Sequence, residues 1–156
     1  MRDALKAATV SPPKQRLRVW LRLLKLSRGM ENRLREKLRT EFGTTLPRFD
    51  VMAALDRHQK GLKMSELSSV LKVSNGNITG IVDRLVADHC IVRVPVAGDR
   101  RAWQVQLTRK GREEFAEMAA AHETWVDAML GELGPKEADD MIVLLDRLSE
   151  TTGDRQ

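Results

Sequence analysis

The chain has 156 residues, 42% hydrophobic and 31% charged, which is enough for one packed domain with an ionic surface and added dimerisation segments. Aromatic residues at 4% argue against a base-stacking single-strand binder, and one cysteine excludes a disulfide framework or cysteine-rich zinc module. Residues 1–48 hold 13 basic and 4 acidic side chains, whereas residues 113–156 hold 3 and 12, an asymmetry that favours a polyanion-facing part and a separate acidic part.

The first third of the chain predicts one long amphipathic helix. Ser11-Pro12-Pro13 marks its start and Gly43 its end, with Gly29 the only glycine between them. Its apolar residues recur every three or four positions over about 30 residues, more than one small core covers, so we expect a second subunit to bury the excess. These residues are Leu17, Trp20, Leu21, Leu24, Leu26, Met30, Leu34 and Leu38.

Three shorter helices are predicted between residues 44 and 88. Thr44-Thr45-Leu46-Pro47 begins the first, Gly61 breaks the chain, and Ser65 is predicted to cap a second helix, Ser65–Leu71. After a three-residue turn, Ser74 is predicted to cap a third helix, from Asn75 to about Asp88. The expected inward faces hold Leu46, Phe49, Met52 and Leu55 in the first helix and Ile78, Ile81, Val82 and Leu85 in the third.

The period of the apolar residues then changes from 3.6 to 2. Residues 91–96 and 103–108 alternate and predict a two-stranded hairpin with a turn at Ala97-Gly98-Asp99-Arg100. Thr108 is predicted to cap a fifth helix, and Gly134-Pro135 begins a last helix that ends before Gly153. Apolar faces are expected at Phe115, Met118, His122, Trp125, Met129 and Leu133 in the fifth helix and at Ala138, Met141, Ile142, Leu145 and Leu148 in the last.

This order predicts a mainly helical α+β fold, a winged helix-turn-helix with a small hairpin wing. We expect an arm and dimerisation helix in residues 1–45, a DNA-binding lobe in 46–111 and dimerisation helices in 112–156. The third short helix fits the major groove, where its first residues reach base edges. Those residues are Ser74, Asn75, Gly76, Asn77, Thr79 and Gly80, although the two asparagines also suit simple capping.

The hairpin tip carries a second set of candidate DNA contacts. Arg101 and Arg100 at the tip of a wing suit the minor groove, where negative potential is focused. Asp99 is expected to hold an arginine side chain in place across the tight turn. Further basic residues are candidates for phosphate contacts, which give affinity without sequence information: Arg84, Arg93, Arg109, Lys110 and Arg112.

The chain resembles the MarR family of bacterial transcriptional regulators. The resemblance rests on Val73-Ser74, Ile78-Thr79, Val82-Asp83-Arg84-Leu85, Asp99-Arg100-Arg101 and Leu107-Thr108-Arg109-Lys110-Gly111, in the family's order and spacing. It implies a homodimer built from the first and last two helices, a wing contact through Arg101 and a small, usually aromatic effector that releases DNA. The chain departs from the family pattern at Lys72 and His89, where glycine is usual, and at Gly80, where a larger residue is usual.

Ser-Asn-Gly-Asn-Ile-Thr-Gly, residues 74–80, is similar to the family branch that controls breakdown of aromatic acids. The CouR-like repressors of that branch respond to aryl-CoA thioesters, so the resemblance implies a repressor released by an aromatic acid or its CoA thioester. The candidate effector-binding residues are Trp20, Met30, Arg33, Arg35, Arg39, Phe49, Met52 and Phe115. The apolar members also suit an ordinary core, and the arginines also suit general DNA attraction or solubility.

Other classes of function have less support. No nucleophile motif, phosphate loop or paired-carboxylate motif appears, the histidines lack ligand spacing, and we expect neither an enzyme nor a metal or cofactor. Cys90 is interpreted as a small buried hydrophobe, with a redox sensor as the alternative. No apolar run or signal peptide is apparent, so we expect a cytoplasmic location. The alternative function is a nonspecific or architectural DNA-binding protein without an effector.

Overall fold

The computed structural model describes residues 11–153, apart from the side chain of Asn75, so the arm predicted before Ser11 lies outside it. The chain divides into two compact units, Met1–Ala119 and Ala120–Gln156. Six helices and three strands form within the described residues, which confirms the predicted winged-helix α+β fold class. In chain order they are α1 Pro12–Phe42, α2 Leu46–Arg57, β1 Leu62–Lys63, α3 Met64–Leu71, α4 Asn75–Ala87, β2 Ile91–Val96, β3 Asp99–Leu107, α5 Arg109–Leu130 and α6 Pro135–Thr152.

Helix α1 has the predicted bounds but buries only its last turns. Pro12 starts it, and Gly43 ends it in the left-handed conformation, φ 61°, where its amide donates to the Arg39 carbonyl. Leu34 and Leu38 are buried in the first unit. The apolar residues nearer the N-terminus stay about half exposed, as a helix longer than its own core requires: Leu17, Val19, Trp20, Leu21 and Leu26.

Helices α2, α3 and α4 pack into the core of the first unit. The Thr45 hydroxyl accepts from the Arg48 amide at 3.3 Å and caps α2. Ile78, Val82 and Leu85 lie on the inward face of α4 and are fully buried. Each such side chain contributes about 1.5–3 kcal/mol relative to its exposed state, so this stripe fixes the orientation of α4.

The predicted cap of α3 is wrong. Lys63 occupies the N-cap position, where Ser65 was expected, and its amide donates to Glu66 Oε2 at 2.7 Å. Glu66 stands three residues after the cap, as in a capping box, and so satisfies a backbone donor that would otherwise be free. The helix therefore begins one residue earlier than predicted, at Met64.

The sheet has three antiparallel strands in the order β1-β3-β2, where two strands were expected. The missed strand, β1, has two residues, too few to show alternation, and its Leu62 pairs with Val105 on β3. Gly61 leads into β1 with φ 95°, and a Cβ there would lie 2.9 Å from the Val105 carbonyl. Glycine is therefore required where the sequence analysis saw only a break.

The second unit holds the end of α5 and all of α6. Gly134 caps α6, with its amide donating to Glu137 Oε2 at 2.9 Å, and Gly153 ends it with φ 83°. Leu133 lies beyond the end of α5, because the chain turns after Leu130, so its predicted place in that helix is wrong. No residue of α6 is buried, and its exposed large side chains are Met141, Ile142, Val143, Leu144, Leu145 and Leu148.

No helix within residues 11–153 is both long enough and apolar enough to cross a membrane.

Candidate nucleic-acid interface

The first turn of α4 presents an exposed polar surface. Gly76, Asn77, Thr79 and Gly80 are all exposed, and the fully buried residues of this helix lie on its opposite side. Ser74 occupies the predicted N-cap position with extended backbone, φ −67° and ψ 146°, but its hydroxyl makes no capping hydrogen bond. The side chain of Asn75 lies outside the described part of the structure.

Nothing in the fold requires glycine in this turn. A Cβ built at Gly76 or at Gly80 meets no other atom within 4 Å. Glycine inside a helix costs about 1 kcal/mol relative to alanine, so two of them weaken α4 without improving its packing. Their open surroundings instead leave the backbone of this turn accessible to a macromolecule outside the chain.

Contacts distant in sequence hold the C-terminal end of α4. Arg48 Nη2 on α2 donates to Asp88 Oδ2 at 2.6 Å, and this hydrogen bond and charge lower the pKa of the Asp88 carboxyl. Lys110 Nζ also donates to the Asp88 carbonyl at 2.8 Å. The next residue, His89, adopts the left-handed conformation, φ 60°, at the position where the resemblance places glycine.

An ion pair joins strand β2 of the wing to helix α4. Arg93 Nη2 on β2 donates to Asp83 Oδ1 on α4. Both side chains of this pair remain about half exposed, and the phosphate contact expected of Arg93 stays a prediction. The register places Arg93 opposite the buried Val105, so the pair lies at the margin of the core, between β2 and α4.

The wing turns through fewer residues than predicted. Ala97 and Gly98 alone form the turn, with Gly98 at φ 83°, and Asp99 and Arg100 already belong to β3. The register then shifts: Val96 pairs with Asp99, but the preceding Pro95 pairs with Trp103. Three residues of β3, which we call the wing bulge, therefore have no partner on β2: Arg100, Arg101 and Ala102.

Asp99 braces the backbone of the wing bulge, not an arginine side chain. Its Oδ1 accepts from the Arg101 amide at 3.0 Å, in place of the predicted side-chain pairing. A short Asp side chain reaches the amide two residues on, which is the geometry of an Asx turn. The side chains of Arg100 and Arg101 are exposed and have no ion-pair partner within residues 11–153.

Most of the other residues predicted to contact phosphate form ion pairs or hydrogen bonds within the chain. Arg109 pairs with Glu113 at 2.8 Å, one helical turn away, and Lys110 lies 3.5 Å from Glu114. Arg112 Nη1 donates to the Leu107 carbonyl at 2.9 Å. Of the five residues proposed for phosphate contacts, Arg84 alone has no such partner in the described part of the chain.

Cys90 is buried, as predicted, and is joined to a carboxylate that the sequence did not indicate. Its side chain is 1% exposed, and Sγ donates to Glu114 Oε2 at 3.2 Å. Burial and the neighbouring Glu114 charge raise the pKa of the thiol to about 11. Because the thiolate is the reactive form, this environment disfavours a redox sensor.

Three of the effector candidates belong to the core of the first unit. Phe49 on α2 and Phe115 on α5 are 6% and 8% exposed, and their ring centroids lie 5.5 Å apart at 38°. Met52 is 2% exposed beside them on α2. These three residues pack as ordinary core residues, the alternative given above, and a ligand would have to displace their packed side chains to reach them.

The remaining effector candidates are spread along α1. Successive residues of an α-helix are about 100° apart, so Arg33 and Arg35 lie on opposite sides, whereas Arg35 and Arg39 share one side. Arg39 is bound to Glu36 at 2.6 Å, and Arg35 donates to Asn32 Oδ1 at 3.1 Å. Trp20 is 57% exposed and lies about 28 Å from Arg39 along the axis, and Met30 is half-buried between them.

Comparisons with known proteins agree on one family. The sequence model of the MarR family matches residues 42–102, which run from the end of α1 into the wing bulge. A crystallised MarR family transcriptional regulator from Silicibacter pomeroyi is 31% identical, covers 92% of this chain and 99% of its own, and superposes with a TM-score of 0.75. The regulator BldR from Sulfolobus solfataricus is 21% identical over 91% of this chain and 99% of its own, with a TM-score of 0.80, and shows the shared fold.

Among curated proteins, the HTH-type transcriptional regulator YkoM of Bacillus subtilis (strain 168) is 31% identical over 83 residues. The match takes in 53% of this chain and 54% of YkoM, so the chain spans about half the length of the curated relatives it matches. The family is one of transcriptional regulators and not of enzymes. The full-length likeness to the Silicibacter protein, joined to the winged lobe described above, shows that the chain belongs to the MarR family of transcriptional regulators.

Proposed function

We propose that the protein is a homodimeric transcriptional regulator that binds a pseudo-palindromic DNA operator. One observation carries the proposal: the exposed turn at Gly76–Gly80 and the wing-bulge arginines, which have no ion-pair partner within residues 11–153, belong to the same compact unit. The helix turn suits base edges in the major groove, and Arg101 with Arg100 suits the adjacent minor groove. Arg84, on α4, adds an unpaired cation for a phosphate.

The dimer is proposed to form through α1 and α6. Both helices expose large apolar side chains, and α6 buries none of its own residues. Residues 12–30 of α1 include six basic and no acidic side chains, whereas α6 holds five acidic and two basic ones. A second subunit would cover both apolar surfaces and bring opposite charges together.

Sequence-specific binding is the decisive test. A randomised duplex pool is taken through successive rounds of selection on the full-length protein, and the enriched duplex is compared with a shuffled version by fluorescence anisotropy. The proposal expects an enriched inverted repeat bound at least about 1,000-fold more tightly than the shuffled duplex at physiological salt. Half-sites one helical turn apart, about 34–36 Å, are expected from a two-fold symmetric dimer.

The same measurement tests the alternative function. A nonspecific or architectural DNA-binding protein enriches no common sequence and binds both duplexes almost equally, with a salt-dependent affinity. The favoured proposal fails in that case. The exposed, asparagine-containing turn of α4 favours specific binding, because amide side chains recognise base edges, whereas nonspecific binding needs only cations.

We further propose that the protein represses genes for the breakdown of aromatic compounds and leaves its operator on binding an aromatic acid or its CoA thioester. Support comes from the resemblance of residues 74–80 to that branch of the family and from the exposed side of α1 that carries Arg35 and Arg39. Guanidinium groups bind carboxylates and phosphates, the charged groups of an aromatic acid and of a CoA thioester.

The effector proposal is tested by titration calorimetry with benzoate, hydroxycinnamates and their CoA thioesters. Arg35→Ala/Arg39→Ala is expected to weaken binding, whereas Arg33→Ala, on the other side of the same helix, serves as the matched control. Release of DNA by a factor of 100 needs a coupling of about 2.7 kcal/mol between ligand and operator. Unchanged affinity in the double variant removes these arginines from the site, and no binding by any compound refutes the effector class.

A further inference from the structure

We propose that Trp103 on β3 is an uncharged DNA contact of the wing, with its ring packed on a deoxyribose and its indole N–H donating to a phosphate of the duplex. The inference rests on the proposed DNA-binding function and adds a residue to it. In the sequence, Trp103 belongs to the alternating apolar pattern of the strand together with Val105 and Leu107. Trp103 differs from these two residues in its exposure, because Val105 and Leu107 are buried and Trp103 is not.

The strand register fixes the side of the sheet on which Trp103 lies. Side chains two apart share a face, so Trp103 shares the face of Val105 and Leu107, which are 1% and 5% exposed. Arg93, the Cα partner of Val105, lies on this face and reaches Asp83 of α4. This face of the sheet is therefore the one turned towards α4.

The opposite face of the sheet is closed by the loop before β1. Gln104 and Gln106 lie on it, and both side-chain amides donate to the Lys60 carbonyl, at 2.9 and 2.8 Å. The two faces are thus assigned by independent contacts. Trp103 points away from this loop, on the face that continues outward from the Arg93–Asp83 pair.

Trp103 lies beyond the end of the core. Strand β1 ends where Lys63 pairs with Gln104, so β3 has no partner on that edge at Trp103, and its other neighbour is the exposed Pro95. The indole is 54% exposed and has no hydrogen-bond or ring partner within the described residues. A large ring that leaves about half of its surface in water gains only part of its packing energy in the isolated chain.

The surroundings of Trp103 favour a polyanion over a protein partner. The wing bulge adjoins it directly and supplies Arg100 and Arg101, both exposed and without an ion-pair partner in residues 11–153. A duplex whose minor groove receives these arginines presents the flanking sugar–phosphate backbone to the neighbouring position. Trp offers an apolar face for the sugar and one N–H donor for the phosphate, so it suits that surface.

If Trp103 makes this contact, its substitution lowers the affinity for DNA and leaves the salt dependence of binding unchanged. Trp103→Ala is expected to weaken binding to the selected duplex about tenfold or more, because each of two subunits loses a hydrogen bond and a packed ring. Trp103→Phe, which keeps a ring but loses the donor, is expected to fall between wild type and Trp103→Ala. The slope of log K against log salt is expected to stay at the wild-type value in both variants, since no charge is lost.

Arg101→Ala and Val92→Ala serve as controls. The first removes a cation and is expected to lower the salt slope by about 0.9 for each phosphate released. The second removes an exposed side chain, 41% accessible, from the other face of the same hairpin and is expected to leave affinity unchanged. Thermal melting of each variant checks that the lobe is folded, and light scattering checks that the mass of the protein is unaltered.

Indole emission gives a direct readout. The chain has three tryptophans, and a change in emission on adding duplex that is present in wild type and absent in Trp103→Phe supports the contact. Equal affinities of wild type and Trp103→Ala, or equal losses in Trp103→Ala and Val92→Ala, overturn it. A reduced mass in Trp103→Ala also overturns it, in favour of a subunit contact. If wild type binds no duplex, the proposed function itself fails, an outcome distinct from these.

Discussion

Asp99 and Arg101 are joined through the backbone of the wing: the carboxylate of the first accepts the amide N–H of the second at 3.0 Å. The hydrogen bond closes the wing bulge while the Arg101 guanidinium remains exposed. The Asp99 carboxylate therefore stabilises the backbone of the wing tip and leaves the Arg101 side chain exposed to solvent.

Removal of Asp99 is expected to weaken operator binding although it removes a negative charge. Asp99→Ala loses the acceptor that orders the bulge, so Arg101 has to be positioned at the moment of binding. Asp99→Asn keeps an acceptor and is expected to retain most of the affinity. The measurement is fluorescence anisotropy at physiological salt. Tighter binding by Asp99→Ala than by wild type would show that removal of the negative charge matters more than loss of the hydrogen bond that orders the bulge.

Arg101→Ala is expected to cost about 1–3 kcal/mol of binding free energy, the scale of one good groove contact. Arg109→Ala provides a matched control, because Arg109 is equally basic but is bound to Glu113 at 2.8 Å. A similar loss in the two variants would mean that net charge, and not position on the wing, determines affinity.

Gly80→Ala is expected to stabilise the protein and to weaken its binding to DNA. The added methyl group meets no atom of the chain within 4 Å and improves helix propensity by about 1 kcal/mol. On a DNA-facing turn, the same group obstructs close approach of the backbone. Thermal melting and duplex titration measure the two effects separately.

Gly29→Ala is the control for this substitution. Gly29 lies inside α1, and its Cβ position is likewise open, so the variant is expected to gain stability without a loss of DNA affinity. Unaltered DNA binding in Gly80→Ala would show that the glycine has no part in recognition.

The protein is expected to be a dimer at micromolar concentration, with a mass twice the 17.7 kDa of the chain. Leu145→Glu places a charge in the exposed stripe formed with Met141 and Leu148 and is expected to shift the mass towards that of one chain. Val143→Glu, about 160° away on the same helix, is the matched control and is expected to remain dimeric. Light scattering of wild type at a mass near 18 kDa would refute the proposed assembly.

Cys90 is expected to react very slowly with Ellman's reagent in the native protein. With the pKa of the thiol raised to about 11, the thiolate fraction at pH 8 is roughly 200-fold below that of a free cysteine with a pKa of about 8.5. Denaturant is expected to restore the ordinary rate. Fast labelling of the folded protein would contradict both the burial and the raised pKa.

The same shift of the thiol pKa sets a dependence of stability on pH. The folded state holds the Cys90 proton more tightly than the unfolded state, so its contribution is complete below about pH 8.5 and declines as pH rises towards 11. Cys90→Val lacks this contribution and is expected to show a shallower decline of melting temperature over that interval. Parallel curves for the two proteins would argue against the shift.

Local patterns in the sequence predicted the long helices and the fold class well. Gly43 and Gly153 end α1 and α6 as glycine caps should, and the buried stripe of α4 follows from three- and four-residue spacing. The order of short helices and alternating strands was sufficient for the winged helix-turn-helix. These features depend on neighbours in the chain, which periodicity and capping rules describe.

The parts that escaped prediction depend on partners distant in sequence or on very short elements. Arg48 and Asp88 are 40 residues apart, and nothing local to either indicates the other. The ion pair of Arg93 with Asp83 was not predicted, because the two residues become adjacent only in the fold. Strand β1 is too short to produce a periodic pattern of apolar residues. The wing bulge gives no signal in the sequence, because apolar and polar residues alternate in the strands on both sides of it.

The wing bulge uncouples the outer hairpin from the rest of the sheet. Pro95 lies opposite Trp103 and Val96 lies opposite Asp99, so the residues between Asp99 and Trp103 stand outside the pairing with β2. Insertions or deletions there leave Val105 and Leu107 in the core. A hairpin of this kind can therefore gain or lose residues at its tip while the mutational load on folding remains small.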